Sequence, residues 1–373
     1  MTQNAVLLAG SLGLGHEMLA RSCADLLERS GWRTRCLNSM SLLGPLSGTA
    51  GERLFGGLVG WPGLYDGLHF SHLRTGSRLA ALMDRGARAR LVPSLRAELD
   101  RQPADLILSV FATGASAAAW LKFEDPARRT VVLCTDVTLH RLWVREGTDL
   151  FLVTSPAAAA SVRRYLPRAA VSIVPPPVRD AFYAAPGQEE ARIQLGVPLE
   201  DPCVLLIDSG WGFGPLVESV SALADAGVQV LAVAGRHPAV ERRLRELART
   251  SSRVRPFGFT DRVPELMAAA DLVVALPGAT TCSEARVVGR PLLLLDVMPG
   301  HGRDNLLHEL ELGSAQVCGP TGAGVAGSAL AMLGGPRRPL RRGEPAPRWE
   351  PAFAAALRRL DLEIIPREVV AGH

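Results

Sequence analysis

Residues 257–305 read FGFTDRVPELMAAADLVVALPGATTCSEARVVGRPLLLLDVMPGHGRDN. Within this stretch the apolar run Asp271–Ala275 predicts a buried strand, Pro277–Thr281 a turn, and Thr281–Val288 a helix. A strand, a glycine turn and a helix in that order are typical of the βα units of parallel sheets. Glycine and threonine at the start of a helix leave backbone N–H groups and hydroxyls for an anion, so the turn predicts a diphosphate site.

The same alternation runs through the chain in two series. The first series has predicted strands at Ala5–Ala9, Leu106–Val110, Thr130–Cys134 and Leu150–Val153. The second series has them at Cys203–Ile207, Val228–Ala234, Leu272–Ala275 and Pro291–Leu295. A glycine-rich turn follows the first strand of each series, at residues 10–16 and 209–214. The sequence therefore predicts an α/β protein with two Rossmann-like domains that face each other across a cleft.

Proline-rich connectors separate the predicted domains. The run Pro175–Pro177 continues neither a helix nor a central strand, so it predicts a stiff extended connector. A second connector, Gly334–Arg348, is rich in proline, glycine and arginine and leads to an amphipathic helix at about 351–360. We therefore expect domains at 1–174 and 175–348, and a terminal segment at 349–373 that crosses back to the first domain.

Composition excludes several classes of protein. The chain has 373 residues, 47% hydrophobic and 21% charged, which is typical of about two globular domains. A net charge of +4 gives no indication of nucleic-acid binding. The six cysteines are dispersed and predict neither a disulfide framework nor a zinc site. Since the sequence has no apolar run of about 18 residues and no basic start of a signal peptide, we expect a cytoplasmic protein.

Residues 41–101 interrupt the alternation and predict a helical region. The aromatic residues Trp61, Tyr65 and Phe70 precede a basic series made of Arg74, Arg78, Arg85, Arg88 and Arg90. Aromatic groups beside arginines are typical of a surface that enters a lipid interface, which predicts peripheral contact with the inner face of the cell membrane through 55–90. Helices that cover the sheet and turn their arginines to water are an equally good interpretation.

His16 follows the first glycine turn, which contains Gly13 and Gly15. This position is the start of a helix at the carboxyl edge of the predicted sheet, where open α/β folds bind ligands. An imidazole titrates near neutrality and suits a general base. The alternative is a histidine that caps or packs locally.

Both halves of the chain resemble one group of glycosyltransferases. The family patterns G-F-x-x-x-M-x-E-L-M-x-x-A-D, K-P-G-G-x-T-x-x-E-A and P-G-Q-E-x-x-N are matched by Gly258, Phe259, Glu265, Leu266, Met267, Ala270, Asp271, Pro277, Gly278, Thr281, Glu284, Ala285, Pro299, Gly300 and Asn305. The pattern T-D-x-x-x-H-x-x-W…D-x-F-x-x-S is matched by Thr135, Asp136, His140, Trp143, Asp149, Phe151 and Ser155. The group includes monogalactosyldiacylglycerol synthases, processive diacylglycerol glucosyltransferases and the peptidoglycan lipid-intermediate N-acetylglucosaminyltransferase.

This resemblance implies the two-domain glycosyltransferase B (GT-B) architecture and an inverting, metal-independent reaction with a UDP-sugar as co-substrate and no further cofactor. It implies His16 as the base, with Asp136 as a rival base or an orienting carboxylate. The implied donor-binding residues are Gly210, Gly212, Gly235, Arg236, Phe259, Gly278, Ala279, Thr280, Thr281, Glu284, Gly300, His301, Arg303 and Asn305. The implied acceptor-binding residues are Gly13, Gly15, Tyr65, His140 and Trp143.

One departure from the family pattern concerns the donor sugar. The family's Pro-Gly-Gln-Glu is replaced here by Pro299, Gly300, His301 and Gly302, and Arg303 follows. Because arginine binds carboxylates in a bidentate manner, this replacement predicts a uronic-acid donor such as UDP-galacturonate or UDP-glucuronate. The alternative is a hexose donor that is held by the backbone alone.

The acceptor is predicted to be a lipid or a phospholipid, since members of the group mostly glycosylate lipids, including the phosphoglycolipids of antibiotic assembly. The main alternative is a soluble antibiotic-tailoring glycosyltransferase with a non-lipid acceptor. Non-hydrolysing UDP-sugar 2-epimerases share the architecture but lack the T-D-x-x-x-H-x-x-W segment, so they rank lower. A binding protein without activity is disfavoured by the presence of His16, Asp136 and Glu284.

Overall fold

A computed structural model describes residues 2–10, 14–44, 66–67, 69–207, 214–298, 300–313, 315–335 and 347–365 of the chain. The chain divides into two compact units. The first unit comprises Met1–Pro177 and Pro347–His373, and the second comprises Val178–Ala346. The first division follows the proline run, and the terminal segment is grouped with the first unit.

The first unit is built on a parallel six-stranded sheet with the order β2-β1-β3-β4-β5-β6. The strands are β1 (Asn4–Ala9), β2 (Arg33–Asn38), β3 (Leu106–Ser109), β4 (Arg129–Cys134), β5 (Leu150–Val153) and β6 (Val171–Ile173). The helices are α1 (Gly15–Arg29), α2 (Arg78–Arg101), α3 (Ala112–Lys122) and α4 (Pro156–Tyr165), with a 3₁₀ turn at Ser41–Leu43 and a π-helical turn at His69–Leu73. The order of the strands reverses between β1 and β3, which makes the carboxyl ends of these strands the expected ligand position.

The second unit has a parallel six-stranded sheet with the order β12-β11-β10-β7-β8-β9. Its strands are β7 (Cys203–Ile207), β8 (Gln229–Val233), β9 (Val254–Phe257), β10 (Leu272–Ala275), β11 (Leu292–Leu295) and β12 (Ala315–Cys318). Its helices are α5 (Asp180–Tyr183), α6 (Gln188–Leu195), α7 (Leu216–Asp225), α8 (Pro238–Thr250), α9 (Val263–Ala269), α10 (Ala279–Val288), α11 (His301–Glu311) and α12 (Gly322–Gly334). The order reverses between β7 and β10, as in a dinucleotide-binding fold.

Helix α13 (Glu350–Arg358) packs within the first unit. The Phe353 side chain is fully buried, and its ring lies 5.2 Å from the Trp349 ring. Beyond the helix, the Trp32 indole Nε1–H donates to the Glu363 carbonyl over 3.2 Å. These contacts tie the end of the described chain to the turn between α1 and β2.

Buried strands were predicted well because they are continuous apolar runs, whereas β2 was missed. Its sequence RTRCLN has no buried residue, since it is an edge strand with mostly polar side chains. In the described part of 41–101, α2 extends over 24 residues with Pro93 in its interior, and the Ser77 hydroxyl caps its start. Trp61 and part of the predicted membrane-facing stretch lie outside the described residues. No helix in the described ranges is both long and apolar enough to span a bilayer.

Candidate functional site

His16 lies at the carboxyl edge of the first sheet, beside the reversal between β1 and β3. It is near the start of α1, and its ring meets the Phe111 ring edge-on at 5.0 Å between centroids. Phe111 is the residue that precedes α3, directly after β3. The Trp143 ring lies 6.4 Å from the His16 ring. The structure therefore brings the predicted base and the predicted acceptor-binding Trp143 together.

Gly10 has a structural role at this edge. A Cβ atom at Gly10 would lie 2.5 Å from the Phe111 ring, so only glycine lets the ring pack there. At this position the glycine admits the side chain that supports His16, a role that glycine-turn patterns do not predict.

Two further histidines extend the ring cluster. The His140 ring lies 6.4 Å from Trp143 and 6.0 Å from His69. Trp143 is only 3% exposed and belongs to the core between the sheet and α4, so its indole is a fixed surface near His16. Sequence reasoning missed His69, which is buried on the π-helical turn. A π-helical turn is frequent at functional sites, but it has no marked sequence pattern.

Asp136 follows β4 closely and so lies at the same carboxyl edge as His16. Burial raises the pKa of the Cys134 thiol well above its usual range, and the nearby Asp136 charge adds to this effect. In the same loop, the Leu142 N–H donates to His140 Nδ1 over 3.3 Å. The loop between β4 and β5 therefore carries the Asp136 carboxylate, the His140 imidazole and the Trp143 indole.

A buried carboxylate anchors this loop to two helices. Asp84 on α2 is 7% exposed and accepts a hydrogen bond of 2.6 Å from the Ser116 hydroxyl on α3. Its other oxygen pairs with Arg145 Nη2 at 2.8 Å. Farther along both helices, Arg88 lies over the Trp120 ring at 4.5 Å. Since later residues of α2 meet later residues of α3, the helices run parallel, and α2 begins beside the edge where Phe111 lies.

The start of α2 exposes apolar side chains at that edge. Leu79, Leu82 and Met83 are 45%, 62% and 45% exposed. Arg78 and Arg85 on the same helix are also exposed. An exposed apolar turn flanked by arginines is typical of a surface that contacts lipid. We call Leu79, Leu82 and Met83 the apolar turn of α2.

In the second unit, α10 begins directly after β10 at the reversal point of the sheet. Gly278 precedes the helix and provides no side-chain cap, while its carbonyl accepts from the Cys282 N–H over 3.0 Å. The first N–H groups of the helix, at Ala279, Thr280 and Thr281, have no acceptor within the helix itself. The sequence predicts a diphosphate at this position, and N–H groups of this kind are suited to bind an anion.

Glu284 lies on α10 and is 6% exposed. Burial raises its pKa to about 8, and the positive charge of Arg179 opposes this shift. Arg179 Nη2 lies 3.8 Å from Glu284 Oε1, and the guanidinium lies over the Phe182 ring at 5.0 Å. Sequence reasoning missed Arg179, which follows the proline run without any motif to mark it.

A cation–π pair brings together two predicted donor-binding residues after β8 and β9. The Arg236 guanidinium lies 4.6 Å from the centre of the Phe259 ring, which is 46% exposed. Gly235 supports this turn with a φ of +57°, a conformation that favours glycine. The pair presents a half-exposed aromatic surface next to the backbone of Gly258 and Phe259.

The start of α11 carries the residues that replace the family's Gln-Glu pair. Gly300 precedes the helix with φ +64° and ψ −121°, which requires glycine. His301 opens the helix, Arg303 is exposed and Asn305 is buried. An ion pair between Arg286 and Glu309 joins α11 to α10 and so helps to fix the position of one helix relative to the other.

Four predicted site residues lie outside the described part of the chain: Gly13, Tyr65, Gly210 and Gly212. The other predicted residues lie at the carboxyl edge of their own sheet. A small pocket of about 20 Å³ at the reversal between β7 and β10 is lined mainly by apolar residues, among them Ile207, Leu276 and Leu295. The described residues contain no group of three or more His, Cys, Asp or Glu side chains arranged to hold a metal ion.

Comparison with known families gives two matches. Residues 214–316 match the glycosyltransferase family 28 C-terminal domain. Residues 78–178 match the monogalactosyldiacylglycerol (MGDG) synthase family. The first region holds Arg236, Phe259, α10 and the start of α11, and the second holds Phe111 and the loop with Asp136 and His140.

Curated relatives include monogalactosyldiacylglycerol synthases and diacylglycerol glucosyltransferases. A probable monogalactosyldiacylglycerol synthase 2 of Oryza sativa subsp. indica is 27% identical over 225 residues, which cover 56% of this chain and 48% of that protein. A processive diacylglycerol β-glucosyltransferase of Bacillus pumilus is 26% identical over 192 residues, 50% of each chain. The matched region therefore spans about half the length of these relatives.

Among solved structures, MurG of Acinetobacter baumannii superposes with a TM-score of 0.54 at 13% identity, over 91% of this chain and 92% of that one. This likeness concerns the fold, and it confirms the predicted α/β class with two Rossmann-like domains of the GT-B type. The chain thus has the GT-B fold and resembles glycosyltransferases, with residues 78–178 similar to the MGDG synthase family and residues 214–316 similar to the glycosyltransferase family 28 C-terminal domain.

Proposed function

We propose that the protein is an inverting, metal-independent glycosyltransferase that moves a hexose or a uronic acid from a UDP-sugar to a lipid or phospholipid acceptor. The observation that carries this proposal is the start of α10. An uncapped helix N-terminus at the reversal of a parallel sheet and a buried Glu284 on the same helix lie within the region that matches family 28. Backbone amides and a buried carboxylate suit the diphosphate and the ribose of a nucleotide.

In this proposal the UDP-sugar donor binds to the second unit. The N–H groups of Ala279–Thr281 and the dipole of α10 stabilise the leaving diphosphate, which is the work that a divalent cation does in other transferases. The Glu284 carboxylate accepts hydrogen bonds from the ribose hydroxyls. The uracil binds against Phe259 and its neighbouring backbone, with Arg236 holding the ring in place.

In the first unit His16 acts as the base. Its imidazole takes the proton of the acceptor hydroxyl while the oxygen attacks the anomeric carbon and the bond to the diphosphate breaks. The proton ends on His16, the sugar on the acceptor with inverted configuration, and the electron pair of the broken bond on UDP. Phe111 holds the His16 ring by an edge contact, and the tilted Trp143 ring lies on another side of it. Asp136 at the same edge orients the acceptor and is the rival base.

A lipid acceptor is supported by the apolar turn of α2. These side chains lie at the end of α2 that is beside Phe111, and so on the His16 side of the first unit. Arg78 and Arg85 are placed to meet anionic head groups. The rice and Bacillus pumilus relatives are named for diacylglycerol chemistry. We therefore place the protein at the membrane surface as a peripheral enzyme.

A transfer assay tests this function. Purified protein is incubated with UDP-glucose, UDP-galactose, UDP-glucuronate or UDP-galacturonate and with vesicles that contain diacylglycerol or a phosphoglycolipid, and released UDP and glycolipid are measured. We expect lipid-dependent UDP release with at least one donor. Release that needs no lipid and proceeds with a soluble acceptor would favour the antibiotic-tailoring alternative. Conversion of a UDP-sugar without any acceptor would indicate an epimerase.

The donor sugar is tested in the same assay. Since His301 and Gly302 replace the family's Gln-Glu pair at the start of α11 and Arg303 follows them, we propose a uronate donor, consistent with phosphoglycolipid antibiotic assembly. We expect kcat/KM to be higher for a uronate than for either neutral sugar, and Arg303→Met to lower it about tenfold for the uronate alone. A higher kcat/KM for a neutral UDP-sugar than for either uronate would contradict the uronate proposal and support a hexose donor.

A further inference from the structure

An ion pair between α10 and α11 joins two parts of the proposed donor site. Arg286 on α10 pairs through Nη1 with the Glu309 carboxylate on α11. Glu309 is only 5% exposed, and removing the cation from a carboxylate buried to this extent is strongly unfavourable. The pair is therefore a fixed connection between the two helices.

On α10 the same guanidinium reaches the first turn of the helix. Its Nη2 donates to the Ser283 hydroxyl over 3.2 Å, and this hydroxyl donates to the Ala279 carbonyl over 2.7 Å. Because a guanidinium is planar, two contacts from its two ends fix its orientation as well as its position. The contacts run from Glu309 to Ala279, the first residue of α10, whose N–H is one of those proposed to hold the diphosphate.

On α11 the Glu309 side chain shares a face with a predicted donor-binding residue. Asn305 lies four residues earlier on the same side of the helix and is 4% exposed, and His301 opens the helix about two turns before Glu309. Burial raises the pKa of the Cys282 thiol on α10, and the nearby charge of Glu309 adds to this effect. Glu309 is thus close to the first turns of α10 while it belongs to the helix that carries the proposed sugar-binding residues.

We propose that Arg286 and Glu309 are positioning residues for the donor sugar, and that their ion pair holds the start of α11 at the position relative to α10 that the sugar requires. The inference rests on the proposed function, which places the diphosphate at α10 and the sugar at α11. UDP uses α10, whereas a UDP-sugar uses both helix starts. The pair therefore acts on sugar affinity without contacting the sugar.

The physical reason is the narrow distance range of hydrogen bonds. Contacts to sugar hydroxyls or to a sugar carboxylate need donor–acceptor distances of about 2.7–3.2 Å, so a shift of α11 by about 1 Å breaks them. Without Arg286 the buried Glu309 carboxylate turns toward water, and α11 moves with it. The diphosphate and the ribose bind within α10 and stay in place.

The test compares UDP with the four UDP-sugars of the transfer assay. Dissociation constants are measured by calorimetry at pH 7.5 for the wild type, Arg286→Met, Glu309→Gln and the double variant. We expect each single variant to weaken the UDP-sugar that the wild type binds most tightly by about tenfold, and UDP by less than about twofold. The double variant should lose no more than Arg286→Met, since both changes remove one pair, and Arg286→Lys should retain most of the affinity.

Weakening of UDP by Arg286→Met that equals or exceeds the weakening of the UDP-sugar would overturn the inference, since the pair would then support α10 or the unit as a whole. Unchanged UDP-sugar binding in the single variants would overturn it too, and so would additive losses in the double variant. If Arg286→Met does not fold, Glu309→Gln carries the comparison, because it leaves no buried charge unpaired.

Arg253→Met is the matched control. Arg253 pairs with Asp201 over 3.2 Å, and these residues lead into β9 and β7 at the opposite edge of the second sheet. This variant should leave all the dissociation constants unchanged. Failure of the wild type to bind UDP, or to bind any of the four UDP-sugars, would instead contradict the proposed function.

Discussion

Burial of Glu284 favours its neutral carboxyl, whereas the proposed binding of a ribose favours the ionised form. The side chain is 6% exposed, so the apolar surroundings favour the protonated carboxyl, whereas two ribose hydroxyls are best accepted by the ionised form. Only the Arg179 charge counters the effect of burial on its pKa. A group in this situation is expected to couple nucleotide affinity to pH.

UDP should bind more tightly as the pH rises through about 8, where Glu284 loses its proton. The folded pKa lies above the ordinary 4.5, so the protonated form stabilises the fold below 4.5, and that stability is lost as the pH rises toward 8. Calorimetric titrations from pH 6 to 9 measure the affinity. In Glu284→Gln the rise above pH 7 should vanish. An unchanged profile in that variant would assign the dependence to another group.

His16 is the base in the proposed reaction. We expect His16→Ala to lower kcat by about 10²–10⁴-fold, since a positioned base contributes that much, and to leave UDP affinity unchanged. Single-turnover assays and UDP titration separate the two effects. Phe111 and Trp143 support the ring and are left intact in this variant. If Asp136→Asn loses as much activity while His16→Ala remains active, Asp136 is the base.

At the scale of elements, helix and strand starts bring the site residues together. β1, β3 and β4 end at one edge, which places His16, Phe111 and Asp136 side by side although they are distant in sequence. The apolar turn of α2 lies at the same edge because α2 and α3 run parallel. Lipid binding can therefore be separated from nucleotide binding by substitutions on α2 alone.

Replacing the apolar turn with Leu79→Ser, Leu82→Ser and Met83→Ser should lower sedimentation with anionic phospholipid vesicles about tenfold or more. Each exposed leucine that enters a lipid interface contributes on the order of 1 kcal/mol. Stability and UDP affinity should not change, because these side chains are exposed. The matched control is Leu307→Ser with Leu312→Ser, which removes apolar groups of similar exposure from the second unit. Equal loss in the control would contradict a specific lipid surface on α2.

Several features of the fold could be predicted because they depend on local patterns. Buried strands such as β5 and β11 are continuous apolar runs, and the proline run marks the division between the units. The four edge strands β2, β6, β9 and β12 were missed, since they are short or partly exposed and lack a continuous apolar run. The motif marked Glu284 as a candidate, whereas no motif marked the positions of Arg179 and His69. Their roles come from contacts with residues far along the chain, which no local pattern contains.

At the scale of the whole molecule, each unit has its own core and its own sheet, and the proposed ligand position of each unit is at the carboxyl edge of its sheet. The second unit carries the predicted nucleotide residues, and the terminal helix α13 belongs to the core of the first. Phe353 is fully buried there, and Trp349 packs against it at 5.2 Å. Damage to α13 should therefore affect the first unit and spare nucleotide binding.

Phe353→Ala should destabilise the first unit by about 3–5 kcal/mol, the usual cost of removing a buried aromatic ring. Chemical denaturation followed by fluorescence and by UDP binding should separate an early transition of the first unit from a later loss of UDP affinity. Leu330→Ala, at a 39% exposed position on α12, is the control and should change neither transition by more than about 0.5 kcal/mol. A simultaneous loss of both signals would mean that the units unfold together.

We propose above all that the second unit binds a uridine nucleotide through α10. The most direct test is thermal unfolding of the purified protein with UDP, TDP, GDP and a panel of UDP-sugars that includes both uronates. A ligand at about 100 times its Kd adds about 2.7 kcal/mol of stability, so UDP and one UDP-sugar should raise Tm by a few degrees, and GDP should not. No stabilisation by any uridine nucleotide would contradict the assignment of α10 and Glu284 to the donor.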